Sequence, residues 1–183
     1  METDGYQTIA SEIKYRGAII DVKQDVIVLP NGKRAMREIV LRGRAAAVLP
    51  VDGDGNVVLV RQYRHSVGKV VYEIPAGMME DGEDDPRECA ARELKEETGY
   101  AAGRLEFMMT MHAAIGFCTE AVHIYEAGCL TAGETDPDDE EFIETAKFSV
   151  AEAIEMIRGG EITDGKTIAA LLMHAHENKI LID

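Results

Sequence analysis

"IPAGMMEDGEDDPRECAARELKEETGY", residues 74–100, is the stretch on which the fold turns. Pro75 and Gly77 close an apolar, β-rich run. Asp85 then offers a side-chain oxygen to the first backbone N–H groups of a helix, and Pro86 suits the first helical position, where no N–H is needed. Gly99 suits the left-handed residue just past a helix end. The spacing predicts a helix from about Pro86 to Thr98. At 100° per residue, Glu93, Glu96 and Glu97 fall within an arc of about 100°. Like charges three and four apart cost about 0.2–0.5 kcal/mol per exposed pair. Acids in the last turn oppose the helix dipole by about 0.3–1 kcal/mol each. Lys95 lies well round the helix from all three. Such crowding reads either as a solvated acidic face or as a platform for hard divalent cations, which take carboxylate oxygens.

Upstream, the chain reads as β. "AIIDVKQDVIVLPNGKRAMREIVLR" holds two β-rich runs around Asn31-Gly32, a hairpin signal. "AAAVLPV" (45–51) and "VVLVRQYR" (57–64) flank the turn "DGDGN". That turn mimics the start of a calcium loop, but Val57 stands where such a loop needs glycine and Tyr63 where it needs glutamate. "VVYEIPAG" (70–77) reads as one further strand. Downstream come β-like segments at 105–113, 121–130 and 141–149. Two helices then finish the chain: Ser149 and Glu152 form a capping box for the first, and Thr163 or Asp164 caps the second. Many strands and few helices, without strict βαβ alternation, argue a mixed-sheet α/β sandwich.

The 183 residues suit one domain with a small appendage, and 46% apolar residues suffice for a core. No apolar run approaches the roughly 18 residues of a membrane span, and the acidic N-terminus does not read as a secretory signal. Cys89, Cys118 and Cys129 are odd in number and lack metal-ligand spacing, as expected of reduced thiols in a cytoplasmic protein. A net charge of −15 argues against nucleic acid or an anionic membrane as partner. A small anionic substrate would need its charge met locally, by a metal or by arginines. His112, His174 and His176 form no ligand constellation and read as surface or partly buried.

Gly77, Glu83, Arg92-Glu93-Leu94, Glu96-Glu97, Gly99 and Tyr100 match the signature of the Nudix hydrolases, a family this chain resembles. Eight residues rather than seven separate Glu83 from Arg92. The extra one falls in the loop before Pro86, so helix phase is kept, and Glu83 or Asp84 takes the role of the first signature glutamate. The resemblance runs from about Tyr15 to Met173 and points to the ADP-ribose and nucleoside diphosphate sugar pyrophosphatase branch. It implies a Nudix α/β/α sandwich with a mixed sheet (residues 45–183). It also implies an N-terminal antiparallel β segment (residues 1–44) that contacts substrate and exchanges between the protomers of a homodimer.

The same resemblance assigns roles. Glu93 and Glu97, with the Ala76 carbonyl, would ligate Mg²⁺ (or Mn²⁺ in its place), and Glu96 would assist or hold a further ion. Arg92 would orient the glutamates by charge-assisted hydrogen bonds. Arg64 and Arg42 would contact substrate, and Gly116 and Phe117 would shape the sugar pocket. Ile115 stands where the branch carries the proline that marks ADP-ribose enzymes. The acidic loop "GETDPDDEEF" (133–142) would supply the general base, Glu141 first, with Glu140 and Asp139 behind it. The expected reaction is hydrolysis of ADP-ribose to AMP and ribose 5-phosphate. The alternatives are another nucleoside diphosphate sugar, GDP-mannose first, and a catalytically silent Nudix-fold module that senses a nucleotide.

Overall fold

The computed structural model describes residues 4–80, 82–136 and 142–180. The chain divides into two compact units, Met1–Gly43 with His112–Ala121, and Arg44–Met111 with Val122–Asp183. The first unit is built on β1 (Gln7–Arg16), β2 (Asp21–Val28) and β3 (Arg34–Leu41), an antiparallel sheet in that order. The β2–β3 turn is the expected one. Asn31 Oδ1 accepts from Lys33 N, and Gly32 takes φ +78°, which a side chain would resist. The segment 112–121 adds to this unit through the end of β3. Val40 N donates to Phe117 O, and Thr119 N donates to Val40 O.

The second unit comprises β4 (Arg44–Pro50), β5 (Asn56–Arg64), β6 (Lys69–Glu73), β7 (Ala76–Met78), α1 (Pro86–Thr98), β8 (Tyr100–His112), β9 (Ala121–Ala132), β10 (Glu144–Ser149), α2 (Val150–Gly159) and α3 (Gly165–Glu177). One sheet has the order β7-β4-β9-β8, the other β10-β5-β6. β4 is apolar without alternation because both of its faces are covered. Ala46 and Val48 pack with Cys89, Ala90 and Leu94 of α1. Ala45, Ala47 and Leu49 face the other way, onto Val57, Leu59, Ile74 and the apolar residues of α2 and α3. This is an α/β/α sandwich, and it sets α1 against the strand that pairs with Ala76 and Gly77.

The run 70–77 is not one strand. β6 pairs with β5, and after Pro75 the chain crosses to the other sheet, where β7 pairs with β4. A proline has no N–H for a ladder, so the switch falls where pairing would break in any case. The Pro75 carbonyl still accepts from Val48 N. The helix ends follow from local chemistry. Asp85 caps α1 by accepting from Arg87 N, and Gly99 closes it at φ +74°. The Ser149–Glu152 capping box forms at α2, and Asp164, not Thr163, caps α3. In the "DGDGN" turn, Asp52 Oδ1 accepts from the backbone of Asp54 and Asn56. His174 is buried at 6% exposure, its Nδ1 2.7 Å from Glu126 Oε2. No helix of the described residues is long and apolar enough to cross a membrane.

Candidate active site

The acids of α1 meet one guanidinium. Arg92 Nη1 donates to Glu93 Oε1 (2.7 Å) and Glu96 Oε2 (2.9 Å), while its Nε and Nη2 reach the two oxygens of Glu83 (3.0 and 3.2 Å). Nη2 also donates to the Met78 carbonyl at 3.1 Å, which ties the helix to β7. Such charge-assisted bonds are the strong kind. They raise Arg92 above even its ordinary basicity, through Glu83 first and then Glu93 and Glu96 against the pull of burial. Glu83, and not Asp84, is the loop acid engaged here. Its hydrogen bonds from Arg92 hold its carboxyl below the usual range.

Glu93 and Glu97 are buried, at 8% and 3% exposure, although both are acids. Glu97 Oε2 lies 3.3 Å from Ala76 N. The Glu93 carboxylate lies directly on Gly77. A Cβ built there would stand 1.9 Å from Glu93 Oε1. Gly77 is therefore a glycine because an acid occupies its side-chain space. Next to it, burial pushes the Cys89 thiol up to about 12, and Glu83 and Glu93 push the same way, which disfavours the thiolate form.

Among the described residues no group of three or more His, Cys, Asp or Glu is gathered as for a bound ion. Glu93 and Glu96 each turn an oxygen to Arg92. The donor chemistry nevertheless fits a hard divalent cation. The candidate ligands are all oxygens, Glu93 and Glu97 both abut the 76–77 backbone, and the one Arg92 charge is shared among three carboxylates.

Arg64, at the end of β5, is held elsewhere in the same unit. Its Nε and Nη2 donate to the two oxygens of Glu73 at 2.7 and 3.1 Å. In the first unit, Arg42 Nε donates to Glu120 Oε1 at 2.5 Å, and its backbone N–H and carbonyl both engage the Thr119 hydroxyl. That unit also holds Gly116, with open space where a Cβ would go, and Phe117 and Ile115, which are exposed. Glu73 and Glu120, the carboxylates that hold these arginines, were not singled out from sequence. Glu141, with Glu140 and Asp139, lies outside the described residues. The start of their loop is pinned to α1, where Asp136 N donates to Glu96 O and Gly133 packs on Gly99.

Residues 41–171 match the family described as the NUDIX domain, and residues 6–40 match the nucleoside diphosphate sugar hydrolase N-terminal domain. The chain is 38% identical over 167 residues to the ADP-ribose pyrophosphatase of Bacillus subtilis, covering 90% of each. It is 37% identical, with the same coverage, to the methanol dehydrogenase activator of Bacillus methanolicus. It is 32% identical over 166 residues to the GDP-mannose pyrophosphatase of Salmonella arizonae, covering 82% of this chain and 84% of that one. A solved ADP compounds hydrolase superposes with a TM-score of 0.85 at 21% identity, covering 95% of this chain and 94% of that one.

Proposed function

The chain belongs to the Nudix hydrolase family, and from that premise we propose that it hydrolyses ADP-ribose, with Mg²⁺, to AMP and ribose 5-phosphate. Enzymes of the family generally use a divalent metal. The observation that carries the reading is the acid cluster on Arg92, with Glu93 and Glu97 set against the Ala76–Gly77 backbone. The end-to-end likeness to an ADP-ribose pyrophosphatase supports it.

Glu93, Glu97 and the Ala76 carbonyl would hold Mg²⁺, with Mn²⁺ as a substitute, and Glu96 would assist. When bound, the ion supplies charge neutralisation of the diphosphate and a more acidic water. Arg92 keeps the acids in place when they are otherwise mutually repelled. Arg64 meets a phosphate charge, and Arg42, Gly116 and Phe117 are substrate contacts. Glu141 acts as general base, taking the proton of the water that attacks phosphorus as the anhydride P–O bond breaks and one phosphate leaves as a phosphomonoester. Residues 1–44 act as the dimerising segment of a cytoplasmic homodimer, and residues 45–183 as the hydrolase domain.

The test is release of the nucleoside monophosphate from a panel of nucleoside diphosphate derivatives with Mg²⁺. ADP-ribose should give the highest kcat/KM. A higher value for GDP-mannose would replace the substrate. The GDP-mannose pyrophosphatase relative and Ile115 at the marker position favour that second reading. No release from any member of the panel would leave a nucleotide-binding module instead. A monomer in solution by light scattering would remove the dimer.

A further inference from the structure

Glu73 ends β6 with its carboxylate almost wholly buried, 4% of the residue being exposed. Beside the two bonds from Arg64, its Oε2 accepts from Lys166 Nζ at 2.6 Å. Lys166 also pairs with Asp164 at 3.1 Å. Asp164 caps α3 by accepting from the Thr167 N–H and hydroxyl, and the Thr167 hydroxyl accepts from Ile74 N. The end of β5, the end of β6 and the start of α3 thus meet around one carboxylate. Burial alone would raise the Glu73 carboxyl. The bonds from Arg64 and the charge of Lys166 outweigh it and hold the group below its usual range.

A buried ion network is a poor way to gain stability, because apolar residues of the same volume do as well or better. Its physical merit lies in orientation. The Arg64 side chain keeps 38% exposure while its partner Glu73 keeps 5%. The guanidinium is therefore held by a buried carboxylate while part of the Arg64 side chain stays exposed. An arginine fixed in advance gives up less conformational freedom when it takes an anion than a free surface arginine does. Lys166, itself paired with Asp164, holds the second oxygen of Glu73 and so fixes the carboxylate that fixes Arg64.

The geometry points to Glu73, supported by Lys166, as the positioning residue that fixes Arg64 for the phosphate groups of the substrate. This rests on the reading of Arg64 as a substrate contact.

The test is a double-mutant cycle of Glu73→Gln and Arg64→Ala. It is read by ADP-ribose kinetics with Mg²⁺ and, independently of turnover, by calorimetric binding of α,β-methylene ADP-ribose. Glu73→Gln should raise both KM and Kd by about 10-fold, the low end for loss of an orienting partner, while kcat moves little. In the Arg64→Ala background it should add nothing. Lys166→Met should raise KM in the same direction, and it serves as the probe if Glu73→Gln does not fold. Independent, multiplying effects in the cycle would overturn the inference, as would a Glu73→Gln protein that loses thermal stability but keeps its KM and Kd. An Arg64→Ala protein with unchanged Kd would overturn it too. The wild-type turnover rate judges the hydrolase assignment separately.

Discussion

Two arginines in the second unit organise carboxylates in different proportions. Arg92 serves three, Glu83, Glu93 and Glu96, with Glu97 close by on the same backbone. Around Arg64 the charges balance: Glu73 takes two cations, Arg64 and Lys166, and Lys166 also pairs with Asp164. Both clusters use good hydrogen-bond geometry, and each has buried carboxylates, Glu93 and Glu97 in one and Glu73 in the other. Where cations match or exceed acids, the network closes on itself and its product is a fixed side chain. Where acids exceed the cation, the arrangement is one that a divalent ion would stabilise from outside. On the proposed reading, the ratio of acids to cations would separate an anchoring cluster from one that takes a metal, although each is built of the same residue types.

The comparison is most exposed at Glu97. Glu97→Gln keeps the shape and removes one charge from the acid-rich side. With Mg²⁺, kcat should fall by about 10²- to 10³-fold, corresponding to several kcal/mol of lost charge stabilisation. Without metal, the variant should melt no lower than the wild type, because like-charge repulsion is relieved. Added Mg²⁺ should raise the Tm of the wild type by mass action and leave the variant unmoved. A variant with wild-type turnover would show that the surplus has nothing to do with metal.

The two clusters also differ in how far a sequence discloses them. α1 was legible because its signals are local. Asp85, Pro86 and Gly99 bound it, and the spacing of the glutamates places them on one side. Gly77 and Arg92 came with that helix. Pro75 was legible as a break, but nothing local shows that the chain changes sheets there, since strand pairing depends on residues far along the chain. Glu73 had a readable half. It alternates with Val71 in an apolar run, so β periodicity turns both inward. Its cation Lys166 stands 93 positions away, beyond any spacing rule. His174 shares the inward face of α3 with Thr167, Ala170 and Leu171. Helical periodicity would have placed it inside, but its partner Glu126 is again a long-range contact.

Arg92→Lys sharpens the contrast at the next scale. A lysine keeps the charge but lacks the fork that reaches Glu83, Glu93 and Glu96 together. Activity should drop by about 10- to 100-fold, the usual loss for a group that orients metal ligands. Folding stability should drop by about 1–3 kcal/mol in metal-free buffer. Mg²⁺ should restore part of that stability, because an ion can take up charge that the lysine no longer reaches. Arg64→Lys should lose stability that Mg²⁺ does not restore. Equal rescue of both variants, measured by thermal melts with and without Mg²⁺, would erase the distinction between the clusters.

The smallest effect is one of pH, and it tests the balanced cluster alone. The Glu73 carboxyl is held below its ordinary value of 4.5, because Arg64 and Lys166 outweigh the upward push of burial. A depressed acid contributes stability that is fully present above its unfolded pKa and fades as pH falls through the lower folded value. The Tm difference between wild type and Glu73→Gln should therefore stay constant from pH 7 to about 5 and shrink below about 4.5. At neutral pH it should correspond to about 1–3 kcal/mol, or several degrees for a chain of this size. A protonated Glu73 and the glutamine of the variant present similar neutral groups, so the two proteins should converge in acid. A difference that persists undiminished to pH 3.5 would mean that charge is not what ties Arg64 and Lys166 to this carboxylate. The opposition between the two clusters would then be one of geometry rather than of charge.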